Sequence, residues 1–275
     1  MKLKFKKIIW PIVYLVLIIN VCLSFVLVFR SYYFRAIFVS GNSMNPTLKG
    51  GSRADYGIID DHKSAIDNIK RFNIVTTYYP FYKSTDYVGG YKHGETNTID
   101  KNNSSYKIKR VYGMPGETIR FDVDPTWSHK VEVLLNDSSA KEEDVVDAIN
   151  HAIVFMVKKV GSDNFEVQNI KFKRLFKESS SYVDINKYKD FQYELGEDEY
   201  WVMGDNYCSS FDCFSPDNKS PIYYDNIVGV LIAIEGTCKI VDKFTNHSRS
   251  ADDDGTSEHY FECKNRQRHM PVYYI

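Results

Sequence analysis

Tyr106-Lys107-Ile108-Lys109-Arg110-Val111-Tyr112, followed by Gly113-Met114-Pro115-Gly116 and then by Glu117 to Val123, reads as strand, turn, strand. Aromatic and β-branched residues suit a pleated, half-buried surface, and Pro-Gly is a strong turn signal. The first strand is apolar except for its basic residues, and Lys107 lies on the same face as Lys109 at i−2. Working outward, Tyr32 to Val39, Ala54 to Ile59, Asn73 to Tyr79, Lys130 to Leu135, Val167 to Phe176, Tyr182 to Ile185, Tyr200 to Met203 and Ile227 to Ile234 carry the same strand-like composition. The 21 tyrosines and 17 phenylalanines favour strands too. Turn signals fall at Ser40-Gly41-Asn42-Ser43, Asn45-Pro46-Thr47 and Gly50-Gly51. The expected fold class is therefore mostly β.

Other segments break this pattern. Asp60 to Lys70 reads as a helical turn. Lys83 to Ser105 is polar, with the composition of an exposed loop. Over residues 139–159 the apolar period changes: Val145, Ile149, Ala152 or Ile153, and Met156 follow i, i+4, i+7 spacing. Ser139 with Glu142 makes a capping-box pattern, and Gly161 is a plausible stop. This predicts a helix that packs an insert. The tail from Asp242 to Tyr260 is polar and reads as a surface extension.

Lys2, Lys4, Lys6 and Lys7 precede an uncharged, mostly apolar run from Ile8 to Phe29. A helix over that run spans about 33 Å, the depth of a hydrocarbon core. Pro11 falls in the first turns, where it is tolerated. A cleaved leader would show a shorter apolar core followed by small residues. Leu27-Val28-Phe29-Arg30 is a poor cleavage site, so the run is read as an uncleaved anchor. The charge bias favours an inside N-terminus, with the rest of the chain outside the cytoplasm.

Lysine plus arginine (35) nearly balances aspartate plus glutamate (36) over 275 residues. No concentrated basic face is present, which argues against nucleic-acid binding. Of five cysteines, Cys22 lies in the anchor. Cys208, Cys213, Cys238 and Cys263 lie outside it, where oxidation is possible. Cys238–Cys263 could close the C-terminal segment and Cys208–Cys213 a small loop. Free thiols, or a metal site from Cys238, His247, His259 and Cys263, are the alternatives.

Ser43 follows a strand that leaves the anchor. Gly41 before it lets backbone N–H groups approach a carbonyl oxygen, as an oxyanion site requires. A serine hydroxyl needs a base. None of the seven histidines (His62, His93, His129, His151, His247, His259, His269) has a convincing catalytic context. Desolvation can hold a lysine neutral instead, and Lys109 on its apolar strand is such a lysine. The bland alternative is a solvated strand lysine.

Ser43-Met44-Asn45-Pro46-Thr47-Leu48 resembles the serine box of type I signal peptidases. Lys109-Arg110-Val111-Tyr112-Gly113-Met114-Pro115-Gly116-Glu117 resembles their lysine box. Val202-Met203-Gly204-Asp205-Asn206, with Ser210 and Asp212, resembles their third box, and Asn73-Ile74-Val75 a short strand motif of the family. The boxes stand in family order behind an N-terminal anchor. The resemblance implies Ser43 as nucleophile and Lys109 as general base. It implies Ser210 as the lysine-orienting serine, Asp205 as partner of Arg110, and Asp212 as a second structural aspartate. The oxyanion site would use the Ser43 backbone N–H, with Gly41 where some members have a serine; Gram-positive members typically have glycine there and a single anchor. No metal or cofactor is implied.

The sequence departs from the family pattern at two places. The third box continues Tyr207-Cys208-Ser209-Ser210, and Phe214 replaces the arginine that usually pairs with the second aspartate. The implied plan is a single transmembrane helix, then an antiparallel β-sheet catalytic core with an inserted α+β subdomain. Its parts are residues 1–7 (cytoplasmic), 8–29 (anchor), 30–124 (first part of the core), 125–199 (insert), 200–237 (second part of the core) and 238–275 (C-terminal extension). The implied activity is removal of signal peptides from secretory preproteins with small residues before the cut, at the outer face of the cell membrane. Extended substrate would pair with the strand edges at Ile37–Ser40 and Tyr106–Ile108, and Val39, Met44, Leu48 and Ile108 would line shallow apolar pockets. Membrane lipid and secretion or surface-assembly machinery are further expected partners. The competing reading is a non-cutting factor that assists pilus assembly.

Overall fold

The computed structural model describes residues 2–39, 41–45, 47–50, 53–78, 106–168, 170, 185–206, 210–214, 219–242 and 259–263. The chain opens with one helix, α1 (Lys2–Tyr33). Trp10–Val28 within it is apolar and long enough to cross a membrane. Its side chains are exposed, as those of a helix packed by lipid would be. Asn20, the polar residue of the span, donates its side-chain amide to Val16 O at 2.8 Å, which satisfies it within the helix. The helix runs on past Tyr32, so the following strand starts later than composition suggests.

Twelve described strands follow, all paired antiparallel. They are β1 (Phe34–Phe38), β2 (Arg53–Asp60), β3 (Ile74–Tyr78), β4 (Tyr106–Gly113), β5 (Thr118–Val123), β6 (Ile153–Lys158), β7 (Glu166–Gln168), β8 (Phe191–Glu194), β9 (Glu199–Met203), β10 (Ile222–Tyr223), β11 (Ile227–Asp242) and β12 (His259–Cys263). The first sheet has the order β1-β2-β11-β3-β4-β9-β10, with β12 added to β11; the second has the order β7-β6-β5-β8. The fold is thus mostly β with an N-terminal apolar helix, as expected. The two sheets are consecutive along the chain where β4 turns into β5 through Pro115-Gly116. Gly116 has φ +74°, a conformation open to glycine at little cost. β5 belongs to the second sheet, so that sheet starts at Thr118, ahead of residue 125.

The insert contains two helices, α3 (Pro125–Asn136) and α4 (Glu142–Ala152); a short α2 (Lys63–Asp67) lies between β2 and β3. Here the expectations need correction. Lys130 to Leu135, read as a strand, is helix. Asp124 caps α3 by accepting from Thr126 N and Trp127 N, with Pro125 just inside the start, and a satisfied N-terminus outweighs the β propensity of the valines. The expected helix over 139–159 ends at Ala152, and Ile153–Lys158 is a strand with strictly alternating burial. Lys141, not Ser139, stands at the N-cap, and the Ser139 hydroxyl goes to Asp137. Gly161 (φ +76°) sits in the turn after β6 rather than at a helix end. Ile185 precedes a 3-10 turn (Asn186–Tyr188) instead of ending a strand. The loop expected over 83–105 and most of 167–184 lie outside the described residues.

β11 is longer than expected and bends at two register shifts. Beyond the second it pairs with β12, so the end of the polar tail returns to the sheet. Cys238 is disulfide-bonded and stands directly across from Cys263. That bond removes Cys238 from the metal alternative. Cys213 is a buried thiol, so the Cys208–Cys213 loop is not closed.

One large core runs through both sheets and α4; a smaller one lies under β1, β3 and β11. Phe214 is central to the first. Its ring lies 4.7–5.2 Å from those of Phe121 and Phe191 in the second sheet, Trp201 in the first, and Tyr188 in the 3-10 turn. Such edge-to-face pairs add to the area they bury. Phe214→Ala should therefore destabilise the protein by about 3–5 kcal/mol, measured as a lowered urea midpoint with an unchanged slope.

Candidate active site

β3 and β4 pair with Val75 opposite Lys109 and Ile74 opposite Arg110. This puts both basic residues in the interior of the first sheet, and both are buried: Lys109 is 2% and Arg110 0% exposed. The two take opposite roles. Arg110 donates from Nε to Asp205 Oδ1 (2.8 Å) and from Nη2 to Asp205 Oδ2 (2.6 Å), and its Nη1 reaches Phe72 O at 2.9 Å. Asp205 is wholly buried and also accepts from the Thr47 hydroxyl. The expected pairing of Arg110 with Asp205 is present.

Lys109 points to the serine loop. Its Nζ lies 2.7 Å from Ser43 Oγ and 3.2 Å from Ile108 O. Burial pushes the amine down to about 8; Asp212 and Asp205 pull it up and Lys107 pushes it further down. A lysine stripped of water favours its uncharged form, so this amine can accept a proton near neutral pH.

Ser43 sits in a turn closed by Asn45 N donating to Asn42 O at 3.1 Å. The third box lies directly beneath. Asn206 N donates to Ser43 O at 2.9 Å, and Asn206 Nδ2 donates to Asn42 O at 3.1 Å. A Cβ at Gly204 would fall 2.2 Å from Ser210 Oγ and 2.4 Å from Ser43 O, so only glycine fits between the two serines.

Asp212 accepts from Gly204 N (2.9 Å), Ser210 Oγ (2.5 Å) and Phe214 N (3.0 Å). These three donors are neutral, and Phe214 supplies one through its backbone. The expected bond from Ser210 to the lysine is not the one formed: the Ser210 hydroxyl is given to Asp212, and Lys109 bonds to Ser43 and Ile108.

Three pocket-lining residues also need correction. Val39, Met44 and Leu48 are buried in the smaller core with Ile74 and Leu231, so they support the loop from below instead of facing solvent. Ile108 packs on that core half-buried, as does Ile37. Gly41 is half-buried beside the serine turn. Thr47, Phe72, Gly204 and Asn206 had no role assigned from the sequence. Thr47, Gly204 and Asn206 stand inside the quoted boxes, which was the available signal; Phe72 carried none.

Asp205→Ala leaves the Arg110 guanidinium buried without its counter-charge. A loss of about 3–5 kcal/mol is expected, read by denaturant unfolding; an unchanged midpoint would show that the pair does not hold the boxes together.

A family model described as "Signal peptidase, peptidase S26" matches residues 12–234. A signal peptidase I of Streptococcus pneumoniae serotype 4 is 28% identical over 196 residues, 69% of this chain and 78% of that protein. Signal peptidase I U of Bacillus subtilis is 25% identical over 228 residues, 82% of this chain and 88% of that protein. With the family match extending over most of its length, from the apolar helix into β11, the chain belongs to the signal peptidase family, peptidase S26.

Proposed function

We propose that the chain is a membrane-anchored endopeptidase that removes signal peptides from exported preproteins, with Ser43 as nucleophile and Lys109 as general base. One observation carries this reading: a buried amine, low in proton affinity, stands 2.7 Å from a serine hydroxyl. In acylation the Ser43 Oγ–H bond breaks and its proton passes to Lys109 Nζ. Oγ bonds to the scissile carbonyl carbon, and the carbonyl electrons move onto its oxygen, which the Ser43 N–H stabilises. The oxyanion then collapses, the C–N bond breaks, and Lys109 returns the proton to the leaving amine. Water, deprotonated by Lys109, hydrolyses the acyl-enzyme.

Substrate enters as an added strand in this reading. Among the described strands β1 is an edge strand and β4 pairs on only one side over Tyr106–Ile108, because β9 ends at Met203, opposite Arg110. Two open edges beside Ser43 suit an extended peptide. In this reading the lysine-rich N-terminus is cytoplasmic and the site faces the outer surface, in reach of emerging preproteins. The pilus-assembly reading drew on the atypical third box and on the 125–199 insert. Phe214 in place of an arginine still leaves Asp212 with three hydrogen bonds, which weakens the first of these grounds.

Two outcomes test the dyad. Ser43→Ala and Lys109→Ala should each lower cleavage of a secretory precursor by at least about 1,000-fold while leaving the thermal midpoint near that of the parent; cleavage surviving either change would sink the assignment. Because the neutral amine is the working form, kcat/KM should rise with pH through about 8. About a tenth of the full rate is expected at pH 7 and about nine-tenths at pH 9. A profile flat from pH 6 to 9 would exclude Lys109 as the base.

A further inference from the structure

Asn206 is 4% exposed, and it grips two successive carbonyls of the serine turn. Its side-chain amide holds Asn42 O, and its own backbone N–H holds Ser43 O. A trans peptide points its C=O and N–H in opposite directions. Fixing Asn42 O towards the third box therefore turns the Ser43 N–H away from it, and fixing Ser43 O does the same for Met44 N–H. Among the described residues no acceptor bonds to the Ser43 N–H. The amide orientation is not arbitrary, since the flipped side chain would set two oxygens against each other. Its other end is left without a partner: Asn206 Oδ1 is buried and unbonded among the described residues. Retaining a half-satisfied buried amide is costly, and an apolar residue of the same size would avoid that cost. The donor end supplies a reason for it.

We propose that Asn206 is a positioning residue that aims the oxyanion donor, by holding the Asn42–Ser43 peptide so that the Ser43 N–H faces the substrate carbonyl. The inference rests on the reading of Ser43 as nucleophile. It concerns a side-chain hydrogen bond, so it is separable from the backbone bond that any residue at 206 would make.

Asn206→Leu keeps the volume and removes both polar ends; Asn206→Asp keeps the shape and replaces the donor with an acceptor. Each is assayed beside the parent and Ser43→Ala at pH 9.5, above the lysine limb. The readouts are kcat and KM on a precursor peptide, affinity for an uncleavable peptide, affinity for a peptide aldehyde of the same sequence, and the thermal midpoint. The aldehyde reports the oxyanion directly. Ser43 Oγ adds to its carbon, the hydroxyl proton goes to Lys109, and the carbonyl electrons move onto the oxygen.

Both variants should lose about 10- to 100-fold in kcat and a similar factor in aldehyde affinity. KM and uncleavable-peptide affinity should stay within about 3-fold, and Asn206→Leu should melt at or near the parent temperature. Parent-like kcat in either folded variant overturns the proposal, as does an equal loss of aldehyde and uncleavable-peptide affinity. Unfolding of both variants overturns it too, since Asn206 would then be structural. Failure of the parent to cleave, or cleavage by Ser43→Ala, would instead overturn the nucleophile reading.

Discussion

A buried ion pair, Arg110 with Asp205, ties together the segments that carry the chemistry. Neither side chain is exposed. Removing two charges from water is costly, and the attraction between them offsets that cost only when the remaining donors and acceptors are also satisfied. Here they are: the guanidinium bonds Asp205 twice and Phe72 O once, and Asp205 also takes the Thr47 hydroxyl. Serine loop, β3 approach, lysine strand and third box thus meet at one point. Lys109 is the next residue on the strand, so locating Arg110 locates the amine as well. Phe72 adopts a left-handed backbone (φ +68°), uncommon for a bulky residue. Its carbonyl bond to Arg110 and its N–H bond to Val111 O hold it there.

The same constraint explains why the two neighbouring bases behave differently. Arg110 has a carboxylate in direct contact. Lys109 has a hydroxyl and a carbonyl in contact, with carboxylates acting only from further away, so burial dominates and its proton is weakly held. Asp212 moderates that effect. Two backbone N–H groups and the Ser210 hydroxyl hold it in place. The position of the usual arginine is thereby released to an aromatic ring, and Phe214 uses it to join the second sheet to the first.

Legibility in the sequence was uneven for identifiable reasons. Strands with one buried face, such as those around Val75, Lys109 and Val202, carry strong β composition and were read to within a few residues. Ile153–Lys158 was merged into the preceding helix because apolar spacing there fits both periods for several residues. Pairing with β5 decided it, placing Phe155 opposite Phe121. Lys130–Leu135 has the composition of a strand, yet its start, Asp124-Pro125, caps a helix. Phe191–Glu194 is a strand of four residues, too short a run to show a period in the sequence.

Ordered motifs on one chain were enough to bring Ser43, Lys109, Arg110, Asp205 and Asp212 forward as candidates, because each box is a local run of particular residue types. An apolar span behind four lysines was enough to predict the long N-terminal helix. Partnership was beyond reach at that level. That Ser210 serves Asp212, that Val39, Met44 and Leu48 support the loop from beneath, and that Asn206 holds two carbonyls depend on contacts between residues far apart in the chain. Only folding brings those atoms together. In a close-packed interior, which neighbour a hydroxyl or amide meets depends on ångström-scale placement, and residue type alone does not carry that information.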